Sequence, residues 1–168
     1  NFNTLTVGLT IDKTAPAITS VVMLDADDSG YFDTDRITSD TTPRFQVNLP
    51  ADVRVGDMVE FYVRNNSTNT ATVASGATNG VYTAMSRVLT QPDIDARSVA
   101  FAVSSALPNA SLYVSARIVD VAGNISTYKG MAIGAITGAY NLQVDARASR
   151  ESYVPYLISA DGTSSLTT

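Results

Sequence analysis

The sequence predicts an all-β protein folded as an antiparallel sandwich of short strands. Apolar and polar residues alternate with period two along most of the chain, the alternating segments are enriched in β-branched residues, and no window keeps a helical period. Pro, Gly, Asn and Asp interrupt the alternation where turns between strands are expected. Many short strands separated in this way are typical of two packed sheets.

The predicted strands run from the first residues to residue 144, with one helical turn among them. In chain order they occupy residues 4–11, 17–24, 44–49, 58–64, 71–74, 81–89, 98–104, 111–120, 126–133 and 140–144. The helical turn is predicted at residues 91–96, which read Gln-Pro-Asp-Ile-Asp-Ala. This order leaves an extra strand before the sandwich and an extended tail after it.

The predicted core lies between the two sheets. In the strand at residues 111–120, alternation divides the side chains into an inward set and an outward set. The inward set is Leu112, Val114, Ala116 and Ile118, and the outward set is Tyr113, Ser115, Arg117 and Val119. The same alternation predicts that further apolar side chains point inward from other strands, namely Phe45, Val47, Val59, Phe61, Val63, Val99, Phe101 and Val103.

Composition limits the partners of the chain. Its 168 residues are 16% charged and 45% hydrophobic, which favours one folded domain with extra pieces at its ends. The net charge of −5 argues against binding to nucleic acid or to anionic membranes, because phosphates would be repelled. No run of about eighteen apolar residues is present, so membrane insertion is not expected.

The residue types also argue against catalysis. The sequence contains no His and no Cys, so the usual Ser/His and Cys/His nucleophiles, thiolate metal sites and disulfide frameworks cannot form. Paired carboxylates for glycoside hydrolysis would have to come from acidic residues that gather in turn-like segments. Trp, the commonest platform for sugars, is absent. We therefore expect neither an enzyme nor a small-molecule substrate.

The densest motif is a cluster of five carboxylates within eleven residues: Asp25, Asp27, Asp28, Asp33 and Asp35. Such a cluster repels itself unless a cation neutralises it, and oxygen ligands of this kind suit Ca²⁺. The spacing is not that of an EF-hand, because Arg36 stands at position twelve, where a bidentate Glu belongs. The alternative is a solvated acidic turn without metal.

Three further aspartates are candidate Ca²⁺ ligands outside this cluster. Leu9-Thr-Ile-Asp12 and Leu142-Gln-Val-Asp145 share one pattern, about one sandwich domain apart, which favours successive joints between domains. Asp12 and Asp145 either complete metal sites at these joints or cap turns. Asp120 begins the turn that ends at Asn124, and a structural role in this turn is favoured over ligation.

Four of these segments, taken in order, resemble the bacterial Ig-like modules that are strung in tandem through large secreted surface adhesins. They are Ile11-Asp-Lys-Thr-Ala-Pro16, the acidic cluster with Ile37-Thr-Ser-Asp-Thr-Thr-Pro43, Val55-Gly-Asp-Met-Val-Glu-Phe-Tyr62, and Val119-Asp-Val-Ala-Gly-Asn124. The resemblance covers roughly residues 11 to 145. It implies an Ig-like Greek-key sandwich whose loops and joints are stiffened by Ca²⁺. The insertion-like residues 130–138 and the short tail depart from the family pattern.

Two functions follow as hypotheses. In the first, residues 15–145 form a non-catalytic, extracellular spacer module of a bacterial cell-surface adhesin. Residues 1–14 then belong to the preceding module or to a linker, and residues 146–168 begin the next. In the second, the chain is a subunit of an extracellular filament or tube, and residues 4–11 complete the sheet of a neighbour by donor-strand addition. The expected partners are neighbouring modules in the first case and identical subunits, head to tail, in the second.

Overall fold

The computed structural model describes residues 11–29, 35–64, 81–131 and 142–146. They form nine strands, one short 3-10 helix and one α-helix. The strands are β1 Ser20–Met23, β2 Ile37–Thr38, β3 Arg44–Asn48, β4 Met58–Arg64, β5 Val81–Val88, β6 Ser98–Ala102, β7 Ala110–Val119, β8 Lys129–Gly130 and β9 Leu142–Val144. The 3-10 helix spans Asp25–Asp27, and α1 spans Gln91–Ala96. The all-β prediction and the predicted helical turn are confirmed.

The strands make two sheets. The smaller sheet has the order β1-β3-β6 and is antiparallel throughout. The larger has the order β2-β9-β7-β4-β5, and β8 pairs with β7 further along the edge that β9 uses. The predicted antiparallel arrangement holds for the described strand pairs except one, since β2 runs parallel to β9. A strand of two residues shows no alternation in the sequence, so neither the strand nor its direction relative to a neighbour can be predicted.

Several predicted strands differ from the observed ones in length. The strand predicted at residues 17–24 is shorter, since β1 begins at Ser20 and the 3-10 helix follows. Of the strand predicted at 126–133, the described residues 126–131 form only β8, and an isolated bridge joins Ile125, just before them, to Val119, while residues 132 and 133 lie outside the described residues. The strand predicted at 71–74 lies outside the described residues, as does the one at 4–11 except for Ile11.

The core lies between the sheets, as the alternation predicts. Every residue predicted to point inward is buried, which includes the whole inward set of β7. At its centre, the Phe61 ring stacks on Phe101 with centroids 5.0 Å apart and tilts against Phe45 at 5.2 Å. Such aromatic contacts between facing strands add to the free energy gained by burying apolar area.

The connection from β5 to β6 passes through α1, whose first turn is closed by Asp93. The main-chain N–H and the hydroxyl of Thr90 both donate to Asp93 Oδ2, at 2.9 and 2.7 Å. Arg87 donates to Asp93 Oδ1 at 2.6 Å. Burial raises the pKa of Asp93, but the hydrogen bonds from Thr90 and the charge of Arg87 outweigh it and leave the pKa below its usual value. The cap therefore fixes where the helix begins.

Candidate functional sites at the two poles

The chain enters and leaves the sandwich at opposite ends. Near its start, the main-chain carbonyl of Asp12 accepts a hydrogen bond from Nδ2 of Asn124, in the turn after β7, at 3.2 Å. Near its end, Val144 lies opposite Ala110, the first residue of β7. Because β7 has 10 residues, these points are about 30 Å apart. We name the ends the Asp12 pole (residues 11–16, 49–57 and 119–125) and the Asp145 pole (residues 24–29, 35–43, 103–110 and 142–146).

An ion pair between Asp27 and Arg44 dominates the Asp145 pole. Arg44 Nη2 lies 2.7 Å from Asp27 Oδ1, and Arg44 Nε lies 2.9 Å from Oδ2. The main-chain N–H of Arg44 also donates to Oδ2, at 2.7 Å. The hydrogen bonds from the Arg44 side chain hold the pKa of Asp27 below its usual value. Both oxygens of this buried carboxylate are thus occupied by a cation of the protein itself.

A hydroxyl network joins the acidic segment to β2 and β9. The hydroxyl of Thr38 donates to the carbonyl of Asp27 at 2.6 Å, and the Ser29 hydroxyl lies 3.0 Å from that of Thr38. The main-chain N–H of Asp145 donates to the carbonyl of Thr38 at 2.8 Å. Asp145 therefore lies at the same end of the sandwich as the acidic cluster, where the chain leaves.

The other predicted ligands of the cluster lie in short turns. Asp25 is exposed at the start of the 3-10 helix. Asp28 Oδ2 accepts the main-chain N–H of Arg36 at 2.9 Å, and Asp35 Oδ1 accepts that of Ile37 at 3.0 Å. These carboxylates stabilise backbone turns, which is the role that the alternative of a metal-free acidic turn requires.

At the Asp12 pole, four carboxylates line one cavity of about 200 Å³. They belong to Asp12, Asp52, Asp57 and Asp120, and Arg54 lines the same cavity. The sequence singled out Asp12 and Asp120 but neither Asp52 nor Asp57. With four carboxylates and one guanidinium, the cavity carries an excess of negative charge, which attracts a cation.

Asp57 holds the two loops of this pole together. It is 1% exposed, and its Oδ2 accepts the main-chain N–H of Arg54 at 2.8 Å. Its Oδ1 accepts the main-chain N–H of Val121 at 3.1 Å, across 64 residues of sequence. The side chain therefore fixes the wall of the cavity as well as contributing charge to it.

Asp120 organises the turn in which it stands. Its Oδ1 accepts main-chain N–H groups from Ala122 at 2.9 Å and from Asn124 at 2.8 Å, and its Oδ2 accepts Nδ2 of Asn124 at 2.8 Å. Gly123 takes a φ of +85°, as the predicted turn requires. The hydrogen bonds from Asn124 hold the pKa of Asp120 below its usual value. The predicted structural role of Asp120 is confirmed, while ligation stays a prediction.

Exposed apolar side chains lie at the same pole as the acidic cavity, and Val121 among them lines it. Four of the large hydrophobic residues that are exposed lie at this pole: Ile11, Val55, Val121 and Ile125. Exposed apolar groups that lie together at one end of a small domain are typical of a surface that contacts another domain or protein. The Asp12 pole thus combines an acidic cavity with an apolar rim.

The structure brings the predicted ligands together as two separate groups, one at each pole. Within the described ranges, no three acidic side chains converge closely enough to form a metal site as they stand. Asp33 lies outside those ranges. Sequence reasoning missed Asp52 and Asp57, although they flank the turn Val53-Arg-Val-Gly56 before a strong strand. The signal that could have identified them is a pair of carboxylates on either side of a turn that contains Gly.

A second polar cluster lies on the outer face of the larger sheet. Arg64 is buried there, with its guanidinium carbon 4.3 Å from the ring centre of Tyr62 and 4.8 Å from that of Tyr128. Arg117 Nε donates to Glu60 at 2.5 Å. Burial and the charge of Glu60 raise the pKa of Tyr62 to about 12, so this hydroxyl stays protonated at neutral pH. The guanidinium carbon of Arg117 also lies 4.8 Å from the ring centre of Tyr128, so Arg64 and Arg117 together hold Tyr128, just before β8, against the neighbouring strands.

No protein-family model matches the chain, and no curated protein is significantly similar to it. In the described part of the chain, no helix is both long enough and apolar enough to cross a bilayer. The geometry of the two poles is therefore the basis for a functional proposal.

Proposed function

We propose that the chain is a non-catalytic structural module, which acts as a spacer in an extended extracellular protein on a bacterial surface. The observation that supports this most directly is the path of the chain, which enters and leaves at poles about 30 Å apart. In a domain of this kind, the polypeptide enters at one end and leaves at the other. Copies joined end to end would build a rod rather than a compact particle.

The strand order supports an Ig-like topology for this module. In the immunoglobulin arrangement, strands A, B and E lie in one sheet and G, F, C and C′ in the other. Here β1, β3 and β6 take the first set of places, and β9, β7, β4 and β5 take the second. The long connection from β1 to β2 crosses from one sheet to the other.

Calcium binding is part of the proposal, and the Asp12 pole suits it better than the Asp145 pole. A hard cation takes six to eight oxygen ligands, and carboxylates and water supply them most readily. The carboxylates of Asp12, Asp52, Asp57 and Asp120 would hold the ion with water once the exposed side chains of Asp12 and Asp52 turn towards the other two. When bound, the ion would neutralise the repulsion between the carboxylates and stiffen the loops that carry them.

The repeated sequence pattern supports head-to-tail neighbours. Asp145 follows the closing strand β9 of this module, and Asp12 stands at the same place in the earlier copy of the pattern. If that copy closes a preceding sandwich, its Asp12 would reach the acidic cavity of the following one. The apolar rim of the Asp12 pole would then contact the preceding module.

The alternative, a filament subunit that polymerises by donor-strand addition, depends on residues 4–11. All of these except Ile11 lie outside the described residues, so the alternative stays a prediction. The question it poses is whether this segment enters another chain's sheet.

The proposal is tested by spin labels at the two poles. Since the chain has no Cys, the variants Lys13→Cys and Ala146→Cys can be combined and labelled cleanly. We expect pulsed electron resonance to give a separation close to the length of β7, with a distribution that narrows when Ca²⁺ is added to metal-free protein. Thermal melting on the same samples should show a higher midpoint with Ca²⁺ than with EDTA.

Two results would count against the proposal. A separation much shorter than the length of β7 would show that the poles are not at opposite ends, and the spacer function would be lost. If Ca²⁺ changes neither the distance distribution nor the melting midpoint, Ca²⁺ binding is excluded but the spacer function is not. Mg²⁺ at the same concentration is the control for a general effect of ionic strength.

A further inference from the structure

Arg64 is a buried cation on the outer face of the larger sheet. It is 3% exposed, and among the described residues it belongs to none of the ion pairs. Glu60, the nearest acidic residue along the chain, is paired with Arg117. Residues 65–80 and 132–141, which follow β4 and β8, contain neither Asp nor Glu. A buried charge needs a compensating charge, so Arg64 requires an anion that no described side chain supplies.

Two buried polar atoms among the described side chains of this face have no hydrogen-bond partner: Arg64 Nε and Ser115 Oγ. Ser115 is 0% exposed. The guanidinium donates from Nη2 to the hydroxyl of Tyr128 at 3.2 Å, which leaves Nε without an acceptor. Buried N–H and O–H groups without a partner are rare in proteins, and they commonly mark the position of a bound water or ion.

The strand register places both groups at one point of the sheet. Ser115 on β7 lies opposite Tyr62 on β4 and opposite Gly130 on β8. Tyr128 stands two residues before Gly130, on the same side of the sheet. The Arg64 guanidinium carbon lies 4.3 Å from the ring centre of Tyr62 and 4.8 Å from that of Tyr128. Because these rings flank β7 on its two sides, the Arg64 side chain extends across β7 above Ser115.

Aromatic rings enclose this point. Tyr113 stands two residues before Ser115 on the same face, and its hydroxyl oxygen lies 2.5 Å from the position that a Cβ on Gly130 would take. The rings of Tyr62 and Tyr128 meet edge to face with their centres 5.7 Å apart. Ring edges carry partial positive charge. The tyrosines therefore shield the guanidinium from water without supplying the negative charge that it lacks.

We propose that a chloride ion binds between Arg64 and Ser115 and compensates the buried guanidinium. Arg64 and Arg117 carry two positive charges and Glu60 one negative charge, so the cluster has a net charge of +1 that one monovalent anion cancels. The ion accepts the N–H of Arg64 Nε and the O–H of Ser115, and hydrogen bonds to an ion are the stronger kind. Water would satisfy both donors but would leave the charge uncompensated.

The burial of both donors limits the size of the ligand. Arg64 Nε and Ser115 Oγ are shielded from solvent, so a carboxylate or phosphate group on a larger molecule does not reach them. The bound ion connects β4, which carries Arg64, to β7, which carries Ser115, beneath the ring that precedes β8. Since β8 has only 2 residues, we expect the ion to stabilise the attachment of this short strand to β7.

Crystals of the full chain grown in sodium bromide test the site directly, because bromide replaces chloride and scatters anomalously. We expect an anomalous peak within hydrogen-bonding distance of both Arg64 Nε and Ser115 Oγ. Three results would overturn the proposal: a water at this point without anomalous signal, a direct hydrogen bond between the two side chains, or bromide found at the surface as an adventitious ion only.

Melting in EDTA tests the same site in solution, with chloride replacing gluconate at constant ionic strength. The melting midpoint of the parent should rise with chloride concentration. Ser115→Ala removes one donor to the ion, and the same rise should then need about tenfold more chloride. Arg64→Met should abolish the chloride dependence. Should Arg64→Met fail to fold, Ser115→Ala decides the result, since it keeps the guanidinium.

The matched control is Lys129→Met, which also removes one positive charge but from an exposed side chain on β8. It should keep the chloride dependence of the parent. A parent whose midpoint does not depend on chloride would overturn the proposal, and so would a Ser115→Ala variant that responds as Lys129→Met does. Because the buffer contains EDTA, this outcome is independent of Ca²⁺ binding at the Asp12 pole.

Discussion

Among the described residues, the Asp12 pole carries four aspartates and the Asp145 pole carries six, and the two poles use them in different ways. At the Asp145 pole, the buried carboxylate of Asp27 is neutralised by Arg44 through two side-chain hydrogen bonds. At the Asp12 pole, Asp57 and Asp120 accept only neutral N–H groups, and their charge faces a shared cavity. The denser cluster in the sequence is therefore the one whose charge the protein already compensates in part. Carboxylate density alone does not tell which pole attracts a cation.

The largest expected effect comes from removing one buried carboxylate at each pole, Asp27 or Asp57, in metal-free buffer. Asp27→Ala should lower the free energy of unfolding by about 3 kcal/mol, because two hydrogen bonds from a guanidinium and one from the backbone are lost. Asp57→Ala should lower it by about 1–2 kcal/mol, since only two neutral donors lose their acceptor. Urea unfolding in EDTA measures both.

The controls for this pair are exposed aspartates at the same poles. Asp25→Ala and Asp52→Ala should each change the free energy of unfolding by no more than about 0.5 kcal/mol. If Asp57→Ala lowered the free energy of unfolding as much as Asp27→Ala does, the contrast between the poles would be wrong. That contrast is between a carboxylate neutralised by a guanidinium and one that accepts only neutral N–H groups.

The next effect separates the poles by their response to Ca²⁺. Asp12→Asn with Asp52→Asn removes two charges from the cavity but keeps the acceptor that Asp12 Oδ1 offers to Thr14. We expect this double variant to lose most of the stabilisation by Ca²⁺, which is about 2 kcal/mol when the ion is at about thirty times its Kd. Melting with Ca²⁺ and with EDTA measures the difference.

The matched variant at the opposite pole is Asp25→Asn with Asp35→Asn, which also removes two charges and keeps the acceptor for the N–H of Ile37. It should keep most of the stabilisation by Ca²⁺. If instead only the variant of Asp25 and Asp35 lost the stabilisation by Ca²⁺, the acidic cluster at the Asp145 pole would be the Ca²⁺ site. Neither double variant should differ from the parent in EDTA by more than about 1 kcal/mol.

The core was predictable from the sequence and the poles were not, because the two depend on different distances along the chain. Alternation with period two is local, so it identified Phe45, Phe61 and Phe101 as inward without knowledge of the partner strand. The turn from Asp120 to Asn124 is also local. The Asp12 pole instead joins Asp57 to Val121 across 64 residues and Asp12 to Asn124 across 112. Nothing in a single sequence specifies such pairs.

The Asp27–Arg44 pair shows the same limit within a shorter span. Alternation places Arg44 at the start of a strand, but no local pattern indicates that its side chain is the counter-ion of Asp27, 17 residues earlier. Similarly, β2 could not be recognised, because two residues show no alternation. Its parallel pairing with β9 exists only once the sandwich has closed.

The smallest expected effect is the response of the Asp27 and Asp120 carboxyls to low pH and to salt. The pKa values of Asp27 and Asp120 both lie below the usual value, so the folded protein binds these protons more weakly than the unfolded chain does. Their stabilisation is therefore complete above the unfolded pKa of about 3.9 and is lost as the pH falls through the folded values. Below that point both poles lose charge.

Salt should distinguish the two carboxyls, because their pKa values are lowered by different kinds of donor. A guanidinium on a half-exposed side chain lowers the pKa of Asp27, whereas an amide and backbone N–H groups lower that of Asp120. Raising the salt concentration screens charge but leaves hydrogen bonds between neutral donors and a carboxylate largely in place. We expect carboxyl-detected NMR titration to show the pKa of Asp27 rising at high salt, while that of Asp120 stays nearly constant. Equal shifts for both would mean that general screening of the acidic chain, rather than the Arg44 contact, sets the response, and the two poles would then be electrostatically alike.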